Sequence, residues 1–403
     1  MPHIEHYSVP VNKLVYEKFS QETFIDIVKD LSQGPCPKYS DSSTTVPNQV
    51  RYLAGYLRNF LDTQNLIIEH HYIDRHYLEE VSFYYSKCLT NYPNYCARIH
   101  CFSSEINQSI IEEIITQASE INQSTAEDKT AETSSDKYEN ARKRLQAHYQ
   151  GYIVIRPIPS VPIGRTVLIP PSSENRRRFP TCVKYTVHFL GFDLSIKSTA
   201  FQQQDRAVAA CATTSIWVAL QSLCKTDGSR TPTTHQITEA AVRHIVPRGR
   251  TYPSSGLTTH QMCDALRFNN YDPEVFDVGG DPERFKLLLN IYLMSGIPVI
   301  LFLVTRNREG HAITVSGIEK CDLEKRFPDE YSDYVSRNMC YDKIYIHDDR
   351  IGPYVSATFQ VKTDKDHNHH LFLKIDSELL EVDHAIAPLY PKIRMNALEL
   401  LYS

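Results

Sequence analysis

The stretch QQQDRAVAACATTSIWVALQSLCK, residues 202–225, decides the reading of this chain. No charged side chain falls between Ala207 and Cys224, and Ala212, Ile216, Ala219, Leu220 and Leu223 recur at helical spacing, which predicts a buried central helix. Cys211 stands near the start of that helix. A thiol there meets the positive end of the helix dipole and unpaired backbone N–H groups, both of which favour thiolate.

Working outward, SSGLTTHQMCDALRFNNY (residues 254–271) offers Thr258 as N-cap and Gln261 three positions on, a capping box that opens a second helix. Phe285, Leu288, Leu289 and Tyr292 mark a third helix, stopped by Gly296. The period then changes. GIPVILFLV (296–304) fits a strand buried on both faces, GHAITVSGI (310–318) a partner strand opened by His311, and KIYIHDDRIGPYV (343–355) a strand ending in Asp348 and Asp349 before an Ile-Gly-Pro turn. Nucleophilic catalysis by cysteine needs a thiolate, an imidazole to share its proton, and a third group to fix the imidazole tautomer. Cys211, His311 and Asp348 supply these in order, with Asp349 as the fallback for the third.

Over roughly Gln202 to Val355 the chain resembles the papain-like cysteine peptidases, above all the branch that removes double-glycine leaders from bacteriocin precursors and its stand-alone relatives. The matching elements are QQQDRAVAAC, SGLTTHQMCDALRFNNY, PERFKLLLNIYLMSGIPVILFLV, GHAITVSGI and IHDDRIGPY, in that order. The resemblance implies a papain-like α+β fold, with a Cys-bearing helix packed on an antiparallel sheet. It makes Cys211 the nucleophile, His311 the general base and acid, and Asp348 the orienting carboxylate. The family also sets a Gln six residues before the Cys, where its amide joins the Cys backbone N–H in an oxyanion hole. Here Asp205 holds that position, and a carboxylate would repel an oxyanion. Gln204, one residue further away, is therefore assigned to the hole through a one-residue bulge. Two departures stand out: Ala212 follows the Cys where the family often has Gly, and residues 319–343 exceed the expected short turn, as either a lid or a solvated insertion.

The 403 residues leave room for a second domain ahead of this one. Residues 1–118 read as a separate α+β domain, with helical spacing at Phe24, Ile27, Val28 and Leu31 and again at Ile106, Ile110, Ile111, Ile114 and Ile115. NLIIEHHYIDRHYLEEVSFYY (65–85) between them suggests a strand running into a helix. Residues 119–137 are polar and repetitive, a flexible linker by composition; 138–200 form a β-rich segment leading into the peptidase domain at 201–403. The last part of that segment, residues 183–198, reads as a hairpin.

A net charge of -5 and the lone basic run Arg176, Arg177, Arg178, set among Pro, Ser and Asn as in a solvated loop, argue against a nucleic-acid partner. No apolar run is long enough for a membrane span and no secretory signal is readable, so a soluble, cytoplasmic protein is expected. The ten cysteines show no CxxC pair or framework rhythm and read as reduced thiols. His70, Asp74 and His76 read as cross-strand pairs on a wet face, and His367, His369 and His370 as a polar turn; no metal and no cofactor is expected. Trp217 reads as core, and Asp205 and Arg206 as a surface pair. The expected activity is cleavage of a peptide bond in a protein or peptide partner, with the N-terminal domain choosing that partner or restraining the enzyme. An amidase, transglutaminase or acyltransferase using the same triad, or an inactive peptide-binding module, are the alternatives.

Overall fold

The computed structural model describes residues 14–33, 46–119, 131–171, 176–205, 211–243, 256–305, 307–321, 341–393, 397 and 399. The chain is α+β and divides into two units.

The first unit is built on a five-stranded antiparallel sheet in sequential order, β1 (Leu14–Lys18), β2 (Asn65–Tyr72), β3 (Cys96–Phe102), β4 (Tyr149–Ile155) and β5 (Ile163–Leu168). Its helices are α1 (Gln21–Ser32), α2 (Asn48–Asn59), the start of α3 (Arg75–Phe83), α4 (Gln108–Ser119) and α5 (Ala131–His148). The apolar spacing read from the sequence is the spacing that packs: Phe24 and Val28 of α1 are buried, as are Ile111 and Ile114 of α4. Ser20 caps α1 by accepting the Thr23 N–H at 3.0 Å.

The strand-like segments within residues 138–200 are expected to lead into the second domain. Instead β4 pairs with β3, and β5 with β4, so most of this segment completes the first sheet. The reason lies in β3, all seven of whose residues are buried: its N–H and C=O groups, shut from water along both edges, need a hydrogen-bonded strand on each side. Helix α5 likewise begins at Ala131, inside the expected linker, while residues 120–130 lie outside the described ones. The hairpin read over 183–198 is present, with β7 (Val183–Phe189) and β8 (Phe192–Ser198) joined by Leu190 and Gly191, both at positive φ.

Asp74 and His76 do not sit on a sheet face. Asp74 accepts the N–H groups of His76 (3.0 Å) and Tyr77 (3.2 Å) at the start of α3 and pairs with Arg165 at 2.7 Å; both Asp74 and His76 are buried. The strand ends at Tyr72, and Asp74 is the helix-starting residue that sequence periodicity alone did not separate from the strand.

The second unit comprises Glu79–Cys88, Pro170–Val183 and Thr199–Ser403. It holds the two-residue strand β6 (Arg177–Arg178), helices α6 (Cys211–Asp227), α7 (Thr234–Ala241), α8 (Thr259–Phe268) and α9 (Pro282–Met294), and a sheet made from β9 (Asp272–Asp277), β10 (Val299–Val304), β11 (Gly310–Lys320), β12 (Tyr341–Asp348), β13 (Gly352–Thr363), β14 (His369–Ile375) and β15 (Glu378–Leu389). Strands β10 to β15 run antiparallel in order, and β10 pairs with both β11 and β15. The sheet therefore closes into a six-stranded barrel, with β9 added along β15. The sheet is antiparallel, as expected from the sequence; its closure is an addition to that expectation.

Residues 212–224 of α6 are buried without a break, Trp217 among them, as the uncharged stretch required. The capping box at the start of α8 is formed by Thr258 and Gln261, and Gly296 ends α9 at φ 77°. Arg177 and Arg178 are not a solvated loop: β6 pairs with β11 at Glu319 and Ile318, and Arg177 and Arg176 both reach Glu319. A Cβ at Gly317 would stand 2.4 Å from the Phe179 ring and 2.7 Å from the Arg178 carbonyl, so this close approach requires glycine. Cys321 is disulfide-bonded, contrary to the all-thiol reading; a single bridge leaves no rhythm in cysteine spacing to detect. The insertion at 322–340, like Arg206, lies outside the described residues. Among the described residues, no helix is long and apolar enough to cross a membrane.

Candidate active site

Two hydrogen bonds fix the geometry before any catalytic group is considered. The Ser215 hydroxyl donates to the Ala312 carbonyl, and the Thr314 hydroxyl donates to the Ser215 carbonyl, each at 2.9 Å and fully buried. Such bonds each contribute about 1 kcal/mol and, as a reciprocal pair, fix the register of α6 on β11. Cys211 lies one turn before Ser215, on the same helix face, and His311 lies next to Ala312. The lock thus brings the half-buried Cys211 side chain into hydrogen-bond contact with the buried His311 ring.

His311 Nε2 lies 3.1 Å from Asp348 Oδ1 and 3.9 Å from Asp349 Oδ1. This leaves Nδ1 as the ring nitrogen available to the thiol. Asp348 closes β12 and is wholly inaccessible to solvent; its Oδ1 also accepts the Arg350 N–H at 2.9 Å, and the Arg350 guanidinium stands 3.5 Å away. The two carboxylates left open by the sequence are thereby separated: Asp348 is the hydrogen-bond partner of His311, and Asp349 is its more distant neighbour.

Electrostatics reinforces the arrangement. Burial works against a charged imidazole, but the hydrogen bonds to Asp348 and Cys211 and the charges of both carboxylates outweigh it, and His311 is pushed up to about 10. Burial likewise opposes charge on Asp348, yet His311 and Arg350 hold its carboxyl below the ordinary range. Asp349 goes the other way: burial, with the Asp348 charge beside it, raises it to about 7 against the pull of His311. The charged His311 ring thus lies between the carboxylates of Asp348 and Asp349 and the Cys211 side chain. The donor atoms of His311, Asp348 and Asp349 lie within 4.8 Å of one another, close enough for a cation to bridge. With Nε2 engaged by Asp348 and the thiol at the other side of the ring, the imidazole has no lone pair to spare for one.

The segment before Cys211 departs from expectation. Asp205 is 3% exposed and accepts a hydrogen bond from the Tyr85 hydroxyl, so it is not part of a surface pair. Tyr85 begins a 3-10 turn (Tyr85–Lys87) beyond the end of α3, and no local signal connects it with a residue 120 positions away. Gln202 and Gln203 are buried, whereas Gln204 is half-buried and its side chain has no hydrogen-bond partner among the described residues. Phe201 packs edge-on against His347, the neighbour of Asp348, with ring centroids 5.9 Å apart. His347 in turn meets the Tyr354 ring at 4.7 Å, and burial drives its titration down to about 3, so it serves as a neutral aromatic wedge. The Tyr354 hydroxyl accepts the Thr199 N–H at 2.8 Å, anchoring the same segment further back.

The remaining sites play supporting parts. The Thr259 hydroxyl and His384 Nε2 are 3.0 Å apart, linking the start of α8 to β15. His370 of β14 bridges Glu381 of β15 (2.9 Å) and Asp364 of the β13–β14 turn (3.4 Å), carboxylates the sequence spacing did not reveal. No protein-family model matches the chain, and no curated protein matches it in sequence.

Proposed function

We propose that the second unit is a papain-like thiol hydrolase, a cysteine peptidase that cleaves a peptide bond in a protein or peptide partner. The observation that carries this reading is the single imidazole of His311, hydrogen-bonded to Asp348 on one side and to Cys211, at the start of a 17-residue helix, on the other. In this reading the Cys211 sulfur attacks the scissile carbonyl, and the carbonyl electrons move onto its oxygen. The C–N bond breaks as the imidazolium of His311 gives its proton to the departing amine, leaving a thioester. Water, deprotonated by the now neutral imidazole, then hydrolyses the thioester and restores the free enzyme. Asp348 holds the ring tautomer and stabilises its positive form throughout.

The combination of a buried helix opened by the cysteine and an antiparallel barrel carrying the histidine and aspartate supports the papain-like assignment. The test is intact-mass analysis after exposure to a peptidyl vinyl sulfone and a peptidyl acyloxymethyl ketone. One adduct on Cys211, lost in Cys211→Ala while that variant keeps the wild-type circular dichroism and melting temperature, is the expected result. No adduct on the folded wild-type protein, or an adduct that persists in Cys211→Ala, refutes it.

A further inference from the structure

The five residues from Phe201 to Asp205 lead toward Cys211, and four of them are buried; Gln204 is the exception. Their anchors lie at both ends. Phe201 is wedged against His347, and Asp205 receives the Tyr85 hydroxyl from a turn held within the same unit by its own contacts. The Thr233 and Thr234 hydroxyls donate to Glu79 (2.7 Å) and Glu80 (2.8 Å), and the Phe83 ring stacks on His235 at 3.8 Å. The segment Glu79–Cys88 is thus fastened to the start of α7, and from that base it presents Tyr85 to Asp205. A carboxylate that accepts hydrogen bonds offers nothing to a developing oxyanion, whereas the Gln204 amide has N–H donors to give.

We infer that Tyr85 and Asp205 are a positioning pair for the oxyanion hole. Tyr85 fixes the Asp205 side chain, the Asp205 backbone fixes Gln204, and the Gln204 amide meets the oxygen of the tetrahedral intermediate. The inference rests on the thiol hydrolase reading above and adds a residue from the N-terminal part of the sequence to its machinery. A donor held loosely stabilises the transition state less, and a displacement of 1 Å in such a group costs up to about 10²-fold in rate.

Two reactions of the same thiol separate this role from general support of the fold. Alkylation by iodoacetamide forms the S–C bond as iodide leaves and develops no oxyanion. Acylation by benzyloxycarbonylglycine p-nitrophenyl ester forms the S–C bond through a tetrahedral oxyanion, after which the C–O bond breaks and p-nitrophenolate leaves with the electron pair. In the full-length protein, Tyr85→Phe should slow acylation by about tenfold or more while alkylation of Cys211 stays within about twofold of wild type. Asp205→Asn, which still accepts from Tyr85, should keep most of the acylation rate that Asp205→Ala loses. In a Gln204→Ala background, Tyr85→Phe should have no further effect on acylation, because the residue through which it acts is gone.

Three results would overturn the inference with the thiol hydrolase reading intact: unchanged acylation in Tyr85→Phe, a parallel fall in both reactions, or the full Tyr85→Phe effect persisting without Gln204. A wild-type protein that alkylates but never acylates would instead refute the underlying reading and the inference with it. The single hydroxyl removed in Tyr85→Phe keeps the test open should the buried Asp205→Ala variant fail to fold.

Discussion

Asp349 is a carboxylate placed where ionisation is costly, and replacing it should stabilise the protein in a way that depends on pH. Burial and the neighbouring Asp348 raise its titration from the ordinary 3.8 to about 7. In the unfolded chain the group loses its proton near 3.8, but in the folded chain it holds the proton until near pH 7. Between these values the folded state binds more protons than the unfolded state, so stability falls as pH rises from about 4 to about 7 and levels off above. About three pH units at 1.36 kcal/mol each place the full loss at roughly 4 kcal/mol by pH 8, against less than about 1 kcal/mol at pH 4. His311, raised from 6.5 to about 10, and Asp348, held below its ordinary range, add slopes of their own to the stability of the wild-type protein, so the term due to Asp349 is read from the difference between two proteins that share those groups.

The perturbation is Asp349→Asn, which keeps the shape and removes the titration. The assay is differential scanning calorimetry of both proteins at half-unit steps from pH 4 to 8. A buried amide brings its own hydrogen-bonding cost, so the quantity to read is the change with pH in the difference between the two melting temperatures. That difference should grow in favour of Asp349→Asn by roughly 10 °C between pH 4 and pH 8, taking 2–4 °C per kcal/mol for a unit of this size. A difference that stays flat with pH, or that grows in favour of the wild-type protein, would refute the reasoning and would mean that Asp349 is ionised at no cost in the folded state.

Iodoacetamide at neutral pH should label Cys211 before every other described cysteine; Cys88 is its half-exposed rival but lacks an imidazole partner, whereas burial pushes the thiols of Cys101, Cys224 and Cys263 up, and peptide mapping of a short time course settles the order. His311, raised from 6.5 to about 10, contributes stability that is complete below about pH 6.5 and lost as pH rises through about 10, so the urea midpoint should drop between pH 7 and 10.5 by more in the wild-type protein than in His311→Gln.

What could be read from the sequence was whatever depends on one segment at a time. The uncharged stretch from Ala207 to Cys224 announces a helix buried all round, because a charge anywhere on its circumference would be stranded. The Thr258–Gln261 box and Gly296 mark helix ends through bonds that span a few residues, and Phe285, Leu288, Leu289 and Tyr292 mark the buried face between, so α8 and α9 are where the spacing put them. GIPVILFLV reads as a buried strand and GHAITVSGI as its partner, and β10 and β11 are paired strands with mostly buried residues. The candidate trio was legible for a related reason: each member sits at the end of an element, where the chain turns and a side chain reaches a cleft.

Closure of the barrel was not legible, because β10 reads as a buried strand whether its second edge meets another strand or a helix. Only the pairing with β15, some eighty residues later, distinguishes the two. The first sheet misled in the opposite direction. A polar stretch suggested a boundary near Ser119, yet β4 and β5 lie beyond that stretch and complete the sheet begun before it; the need of β3 for two neighbours outweighs the composition of the intervening chain. Asp205 shows the same limit at the scale of one side chain. Its place six residues before Cys211 marks it as a misfit where the resembling family has an amide, and a misfit carboxylate beside an arginine reads as a surface pair. The hydroxyl that gives it a buried partner comes from Tyr85, 120 residues upstream. A buried carboxylate needs a partner that local sequence does not name, and the fold supplies it: here, from a turn that the second unit draws from the N-terminal half of the chain.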